Sequence, residues 1–225
     1  MAVGDPTMSD LQQGRLRRAE QVVASTSTLE GLAGAAGVVL PILGLVGLAP
    51  LWMVGISLLA VGGGVLLEGG ALMTEYGALT GRESATTMRE ATGSASVQLL
   101  GGAAAVALAI IGLASSASIT LFAVAIIALG GAVLLGAGAT ARMTALAASG
   151  EDERVRRVAN ESVRASAGAE VFTGAGAIVL AILVLVGVAP AAHMTMLLVA
   201  VLALGASTFL AGSSMGARAG SALKA

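Results

Sequence analysis

Residues 31–71 read GLAGAAGVVLPILGLVGLAPLWMVGISLLAVGGGVLLEGGA and contain two apolar runs separated by a proline, Pro50. No charged residue occurs between Glu30 and Glu68. Each run is long enough for an α-helix that crosses the roughly 30 Å hydrocarbon core of a bilayer. This stretch therefore predicts a helical hairpin inside a membrane, with Pro50 at its tip.

The same pattern returns along the chain. A shift of 68 residues aligns 31–71 with 99–139 without a gap, and 18 of the 41 pairs are identical. A third apolar pair follows, and its tip at 187–190 repeats the Gly-x-Ala-Pro of 47–50. Self-similarity of this kind indicates copies of one supersecondary unit. We therefore predict an all-α integral membrane protein whose six transmembrane helices form three tandem helical hairpins, repeated in parallel.

Polar stretches separate the hairpins. Apolar residues in 1–29 and in 144–169 recur at helical spacing, which predicts amphipathic cytoplasmic helices before hairpins one and three. The segments are the N-terminal segment (1–29), hairpin 1 (30–76), a connector (77–97), hairpin 2 (98–143), a second connector (144–169), hairpin 3 (170–218) and a tail (219–225). The six helices are predicted at 30–48, 51–76, 98–114, 119–143, 170–188 and 194–218.

The composition supports residence in a membrane. Apolar residues make up 56% of the chain and charged residues 11%, whereas a soluble domain has about 25% charged residues. The mean hydropathy is +0.93. So few charges cannot cover a water-soluble protein of this size, so most of the exterior is expected to contact lipid or protein.

Several kinds of chemistry are disfavoured. The chain has no cysteine, which excludes disulfides and thiolate or iron–sulfur ligation, and its one histidine, His193, cannot form a multi-histidine metal or haem centre. A net charge of −1 does not favour nucleic-acid binding. We find no Ser/His/Asp set, nucleotide loop or metal cluster. We therefore predict a non-enzyme without cofactor or metal.

The basic residues indicate an orientation. All 12 Lys and Arg residues lie outside the apolar runs, and none lies at a hairpin tip. The positive-inside rule places these segments, and both termini, in the cytoplasm. We predict a multi-pass protein of the cell (inner) membrane, targeted by its first hairpin because no cleavable signal is apparent in 1–29. The alternative is a wedge of hairpins that enter one leaflet only.

Small residues recur every fourth position on three helices. Such stripes let helix backbones approach closely in lipid. They have two interpretations, packing within one chain or association of copies into a homo-oligomer. The positions are Ala60 and Gly64 on helix 2, Ala128, Ala132, Gly136 and Thr140 on helix 4, and Thr208, Gly212, Gly216 and Gly220 on helix 6.

Glu68 is the one ionisable residue near the interior of an apolar run. It continues the series of Ala60 and Gly64, so it is expected to face protein. An acid within a membrane is a functional hypothesis by default, here a proton or cation site. The alternative is a boundary carboxylate that reaches headgroups or pairs with an arginine such as Arg89.

Two further sets of polar residues occupy matching places in the repeats. Glu30, Gln98 and Glu170 begin the first helix of each hairpin. They are helix N-terminal residues or, if the hairpins surround an axis, a polar collar. The arginines before hairpins one and three are topology anchors, or contacts for anionic lipid or a cytoplasmic protein partner. These arginines are Arg15, Arg17, Arg18, Arg154, Arg156 and Arg157.

Three functions are compatible with these patterns. The first is an oligomeric membrane scaffold or assembly subunit that packs through its small-residue stripes and presents basic helices to the cytoplasm. The second is a channel or proton-conducting subunit that uses Glu68. The third is a subunit that binds quinone or lipid between hairpins.

Overall fold

The computed structural model describes residues 29, 31–79, 85–147 and 153–222, and the side chains of 29, 31–70, 93, 95–137 and 168–211. Within these ranges all regular structure is helical and no strand occurs, which confirms the all-α prediction. The helices are α1 (Gly31–Leu45), α2 (Pro50–Leu79), α3 (Ala85–Ala114), α4 (Ser118–Ala147), α5 (Glu153–Leu185) and α6 (His193–Ala222), with a short 3₁₀ turn at Pro190–Ala192.

Five of these helices support the prediction of a membrane protein. Each of α2 to α6 contains 18 to 22 consecutive residues that are apolar enough to cross a bilayer. The described part of α1 is shorter, and its 15 residues span only about 22 Å. A sixth span therefore remains a prediction, and Glu30 and the segment 1–28 lie outside the described residues.

Helices α3 and α5 begin before the helices predicted at 98–114 and 170–188. Residues 153–185 form one helix of 33 residues, and α3 begins at Ala85 rather than at Gln98. Neither 85–97 nor 153–169 contains proline, and 153–169 is rich in Ala, Arg and Glu. These residues favour helix, and adding a turn to an existing helix costs less than nucleating a new one. The amphipathic character predicted for this segment lies outside the described side chains, which begin again at residue 168.

The first tip ends α1 earlier than predicted. The amide of Gly47 donates to the carbonyl of Gly44 at 3.0 Å, and that of Leu48 donates to Leu43 at 3.1 Å. These two bonds form a Schellman cap, in which the residue after the helix is left-handed. Gly47 has φ of +100°, so the helix ends at Leu45 instead of continuing to 48.

The tip after α5 has the same cap. Gly187 donates to Val184 at 3.1 Å and Val188 donates to Leu183 at 3.0 Å. Gly187 has φ of +81°. The two Gly-x-Ala-Pro sequences therefore adopt the same backbone conformation at both places.

The tip between α3 and α4 has neither glycine nor proline and uses serine hydroxyls. Ser118 donates to the carbonyls of Gly112 and Ser115, each at 2.7 Å. The hydroxyl of Ser115 accepts from the amide of Ala117 at 3.1 Å. These side chains satisfy backbone groups that the ends of two helices leave free.

The helices form a bundle with three of them at its centre. Helices α2, α4 and α6 contact one another, α3 packs against α2 and α4, and α5 packs against α4 and α6. Helix α1 lies against α6 and α2, because Gly37 meets Gly205 and Gly64 meets Ala33. The three central helices bury more of their residues than α3 and α5 do. Each neighbouring pair around the bundle is antiparallel, so α2, α4 and α6 run in the same direction.

The core lies along these three parallel helices. Fully or almost fully buried residues occur 4, 8, 11 and 15 residues after the first residue of each helix. This alternation of four and three is the spacing of a coiled-coil seam. The residues are Val54, Leu58, Val61 and Val65 on α2, Phe122, Ile126, Leu129 and Val133 on α4, and Leu197, Val201, Leu204 and Thr208 on α6.

Candidate functional site

Glu68 continues the buried seam of α2. It lies three residues after Val65, and the matching positions of α4 and α6 are Gly136 and Ala211. Residues three apart on a helix share a face, so Glu68 lies at the end of the core that is far from the tips. Its side chain is half-buried. The prediction that Glu68 faces protein agrees with this position.

Two polar residues from other helices lie near Glu68. The side-chain amide of Gln98 on α3 donates a hydrogen bond to its carboxylate, and Glu170 on α5 lies close enough for the two negative charges to repel. The structure thus joins the predicted ion site with two members of the predicted polar collar. The third member, Glu30, lies outside the described residues, so a complete collar remains a prediction.

Gln98 is the most enclosed member of this group, which we call the Glu68 cluster (Glu68, Gln98 and Glu170). Only 4% of its surface is exposed. A β-carbon on Gly136 would lie 2.9 Å from the amide carbon of Gln98, so glycine at 136 provides the room for the amide. The oxygen of this amide, Oε1, is buried and has no hydrogen-bond partner.

The basic residues, which are the candidate partners of this cluster, have their side chains outside the described part of the chain. All Lys and Arg side chains, including the predicted partner Arg89, lie outside that part of the chain. The arginines 15, 17 and 18 are outside it entirely, whereas Arg154, Arg156 and Arg157 belong to α5 by their backbone only. Their predicted contacts with lipid or a partner therefore remain predictions.

The described small-residue stripes are used for packing within the chain. A β-carbon on Gly64 would lie 3.1 Å from that of Ala33 on α1, and one on Gly101 would lie 3.0 Å from the carbonyl oxygen of Ala128 and against Ala132. These contacts support the interpretation of the α2 and α4 stripes as internal packing. The surroundings of Gly212 and Gly216 on α6 lie outside the described side chains.

Three glycines at matching places in the repeat, Gly34, Gly102 and Gly174, make one recurring contact. A β-carbon on Gly102 would lie 2.9 Å from the amide nitrogen of Leu66, and one on Gly174 would lie 3.2 Å from that of Leu134. Gly34 meets the backbone of Phe209 in the same way. Each contact joins one of the outer helices α1, α3 and α5 to a central helix, and in no case are the two helices joined to each other by a tip.

His193 is the first residue of α6, beside the last tip. Its Nε2 atom is buried without a hydrogen-bond partner. Within the described residues, no group of three or more carboxylate, imidazole or thiol side chains is arranged to hold a metal.

The four-three spacing of the core was missed by the sequence analysis. It was detectable, because the matching residues are related by the repeat offset of 68 between α2 and α4 and by 75 between α4 and α6. The approach of Gln98 to Glu68 left no comparable signal, since it depends on how α3 packs against α2.

Comparison with protein-family models, with curated proteins and with solved structures finds no match to this chain. The function is therefore inferred from the packing and the polar residues alone.

Proposed function

We propose that the chain is a non-enzymatic scaffold or assembly subunit of a membrane, built from three parallel helical hairpins with six membrane spans. The observation that supports this most directly is the filled core of α2, α4 and α6. Twelve buried positions, eleven of them apolar, occupy the centre of the bundle. A rigid centre and an apolar outer surface suit a protein that holds other components in place.

The proposed orientation places the basic segments in the cytoplasm. The arginine sets of 15–18 and 154–157 precede hairpins one and three, and basic residues near an anionic surface contribute about 1 kcal/mol each to its binding. In this proposal, amphipathic helices that carry these arginines contact lipid headgroups or a cytoplasmic protein, and the cell membrane holds the bundle with both termini inside.

Association of copies is part of the proposal. The described stripes of α2 and α4 are occupied by contacts within the chain, so the surface for association is assigned to Gly212 and Gly216 near the end of α6. Large apolar residues on the outer helices, such as Leu32, Leu100 and Phe172, are exposed by 63%, 70% and 82%. This surface suits lipid or a second copy.

Conduction through Glu68 has less support. Glu68 is 18 residues from the start of α2, about 27 Å along the helix. The buried seam fills the centre of the bundle between Glu68 and the tips. An ion that followed the axis would have to cross this apolar region without partners, which is costly. No observation distinguishes the quinone or lipid alternative from simple lipid contact.

The proposal is tested by measuring, in mild detergent, how many copies the particle contains and which other proteins remain bound to it. Particle mass and affinity purification of the tagged full chain should show more than one copy or a retained partner. Gly216→Leu should reduce the mass to that of a single copy, whereas Gly63→Leu should not, because nothing lies within 4 Å of a β-carbon at Gly63. A single copy without any partner contradicts the scaffold proposal.

A flux measurement separates the alternatives. Liposomes that contain the protein should show no proton or cation flux above that of empty liposomes. Flux that is lost in Glu68→Gln would favour the channel instead.

A further inference from the structure

The Glu68 cluster contains a polar atom that the packing of the chain does not satisfy. Gln98 is 4% exposed. Its side-chain nitrogen donates a hydrogen bond to Glu68, and its Oε1 has no hydrogen-bond partner. Buried acceptors are almost always paired, and an unpaired one calls for an explanation such as an ion or water. Because nitrogen and oxygen share one amide carbon, the free oxygen belongs to the same cluster as the carboxylate.

The second unexplained feature is the pair of carboxylates. Glu68 and Glu170 come from different helices, α2 and α5, and their charges repel. Negative charges in an apolar bundle persist when an opposite charge or a metal ion accompanies them. Helix α3 supplies the amide that donates to Glu68, so side chains from three helices converge where a cation would offset the two negative charges.

We propose that Glu68, Glu170 and Gln98 bind one divalent cation of the calcium or magnesium class through their side-chain oxygens. All three donors are hard oxygen ligands, which suit these cations rather than copper or zinc. Two carboxylates match a charge of +2. Calcium fits best, because it accepts irregular coordination and completes its six to eight ligands with water.

The cluster lies at the end of the buried seam that is far from the tips. The buried seam closes the bundle on the side of the tips. The cation therefore enters and leaves from the end where α2 continues to Leu79 and α3 begins at Ala85. Bound there, it ties together helices from three antiparallel pairs. This inference is independent of the scaffold proposal, since a cation could stabilise the bundle whether or not the protein assembles.

Calcium binding is tested by thermal unfolding of the full chain in detergent, after removal of divalent ions and then with added calcium chloride. Calcium should raise the unfolding temperature of the unmodified protein in a saturable way, because a ligand that binds the native state stabilises it. Direct binding of radioactive calcium should give one ion per chain. Sodium chloride at equal ionic strength should have no comparable effect.

Variants locate the site. Glu68→Gln should abolish the calcium-dependent shift, and Glu170→Gln and Gln98→Leu should each weaken binding at least about tenfold. Glu161→Gln is the matched control. It removes an acid from α5 about two and a half turns before Glu170, on the opposite side of the helix, and should keep the shift. If one cluster variant fails to fold, the other two provide the test.

Several results would overturn the proposal. One is the absence of a shift and of bound ion with both calcium and magnesium. Another is an equal shift in Glu68→Gln, or an equal effect of sodium. A shift that appears only in Arg142→Gln or Arg164→Gln would show that an arginine, not a metal ion, neutralises the cluster in the unmodified protein.

Discussion

Gly205 of α6 lies against Gly37 of α1, so closely that a β-carbon on Gly205 would stand 2.7 Å from the α-carbon of Gly37. The carbonyl group of Gly37 is also part of this contact. In a regular helix that carbonyl accepts from the residue four positions later, but here that residue is Pro41, which has no N–H. The contact brings the first described helix against the last.

Gly205→Ala is expected to destabilise the protein by about 1–3 kcal/mol, because a β-carbon that meets backbone atoms forces the two helices apart. Thermal unfolding in detergent measures the change. Gly63→Ala is the control, since open space surrounds a β-carbon there, and it should be neutral or slightly stabilising. Equal effects of the two substitutions would contradict a close contact between α1 and α6.

At each of the two capped tips, replacing the glycine by alanine and replacing the alanine two residues later by glycine should change the stability in opposite directions. Gly47 has φ of +100°, and Ala49 is held at φ of 40°. Left-handed backbone costs a residue with a β-carbon about 1–2 kcal/mol. Gly47→Ala should therefore destabilise by about 1 kcal/mol and Ala49→Gly should stabilise by a similar or smaller amount. The pair Gly187→Ala and Ala189→Gly should behave alike, and a tip of different conformation would not reproduce the reversal of sign.

The buried seam predicts a contrast between two leucines of α2. Leu58 is fully buried, whereas Leu67 is 43% exposed. Leu58→Ala should cost about 2–5 kcal/mol, because it leaves a cavity among α2, α4 and α6. Leu67→Ala should stay within about 0.5 kcal/mol. Unfolding temperatures of the two variants in the same detergent provide the comparison, and a smaller effect at Leu58 would mean that the core is elsewhere.

The hydroxyl of Ser118 stabilises the tip between α3 and α4. Ser118 is buried and donates to two carbonyls. Ser118→Ala should destabilise by about 1–3 kcal/mol, since it leaves buried acceptors without a donor. The neighbouring Ser116 is exposed, so Ser116→Ala should have little effect on the unfolding temperature. Equal unfolding temperatures for the two variants would argue against the capping role of Ser118.

The proposed orientation can be tested by chemical labelling, since the chain has no cysteine of its own. Ser116→Cys should react with a membrane-impermeant maleimide added to intact cells. Ser149→Cys should react only after the cells are opened, because it lies in a segment assigned to the cytoplasm by the positive-inside rule. Protection of both positions in intact and in opened cells, or reaction of position 149 alone after the cells are opened, would favour the one-leaflet wedge.

Much of the fold was predictable because apolar length and helix-ending sequences are local properties. The helices predicted at 51–76, 119–143 and 194–218 each correspond to part of a long helix, and the shared Gly-x-Ala-Pro sequences form the same cap. The boundaries on the connector side were predicted less well. The residues 85–97 and 153–169 were assigned to connectors, with a helix predicted in the second, whereas α3 and α5 include them without a break. A polar sequence with good helix formers continues a helix as readily as an apolar one.

The sequence identified the individual residues of the candidate site but not that they lie together. Glu68 was identified because an acid in an apolar run is unusual, and Gln98 and Glu170 because they occupy matching places in the repeat. Their proximity was not predicted. A repeat offset identifies equivalent positions, whereas contact depends on which helices are neighbours and on how far along their axes the residues lie.

The sequence by itself determined that this chain is helical, apolar enough for a membrane and punctuated by short tips, because each property depends on residues that are near one another along the chain. Only the tertiary structure decided that α2, α4 and α6 occupy the centre, that the α2 and α4 stripes are used internally, and that Glu68 lies near Gln98 and Glu170. The physical reason is that side-chain packing between distant segments selects one arrangement among many that the same hydropathy pattern allows.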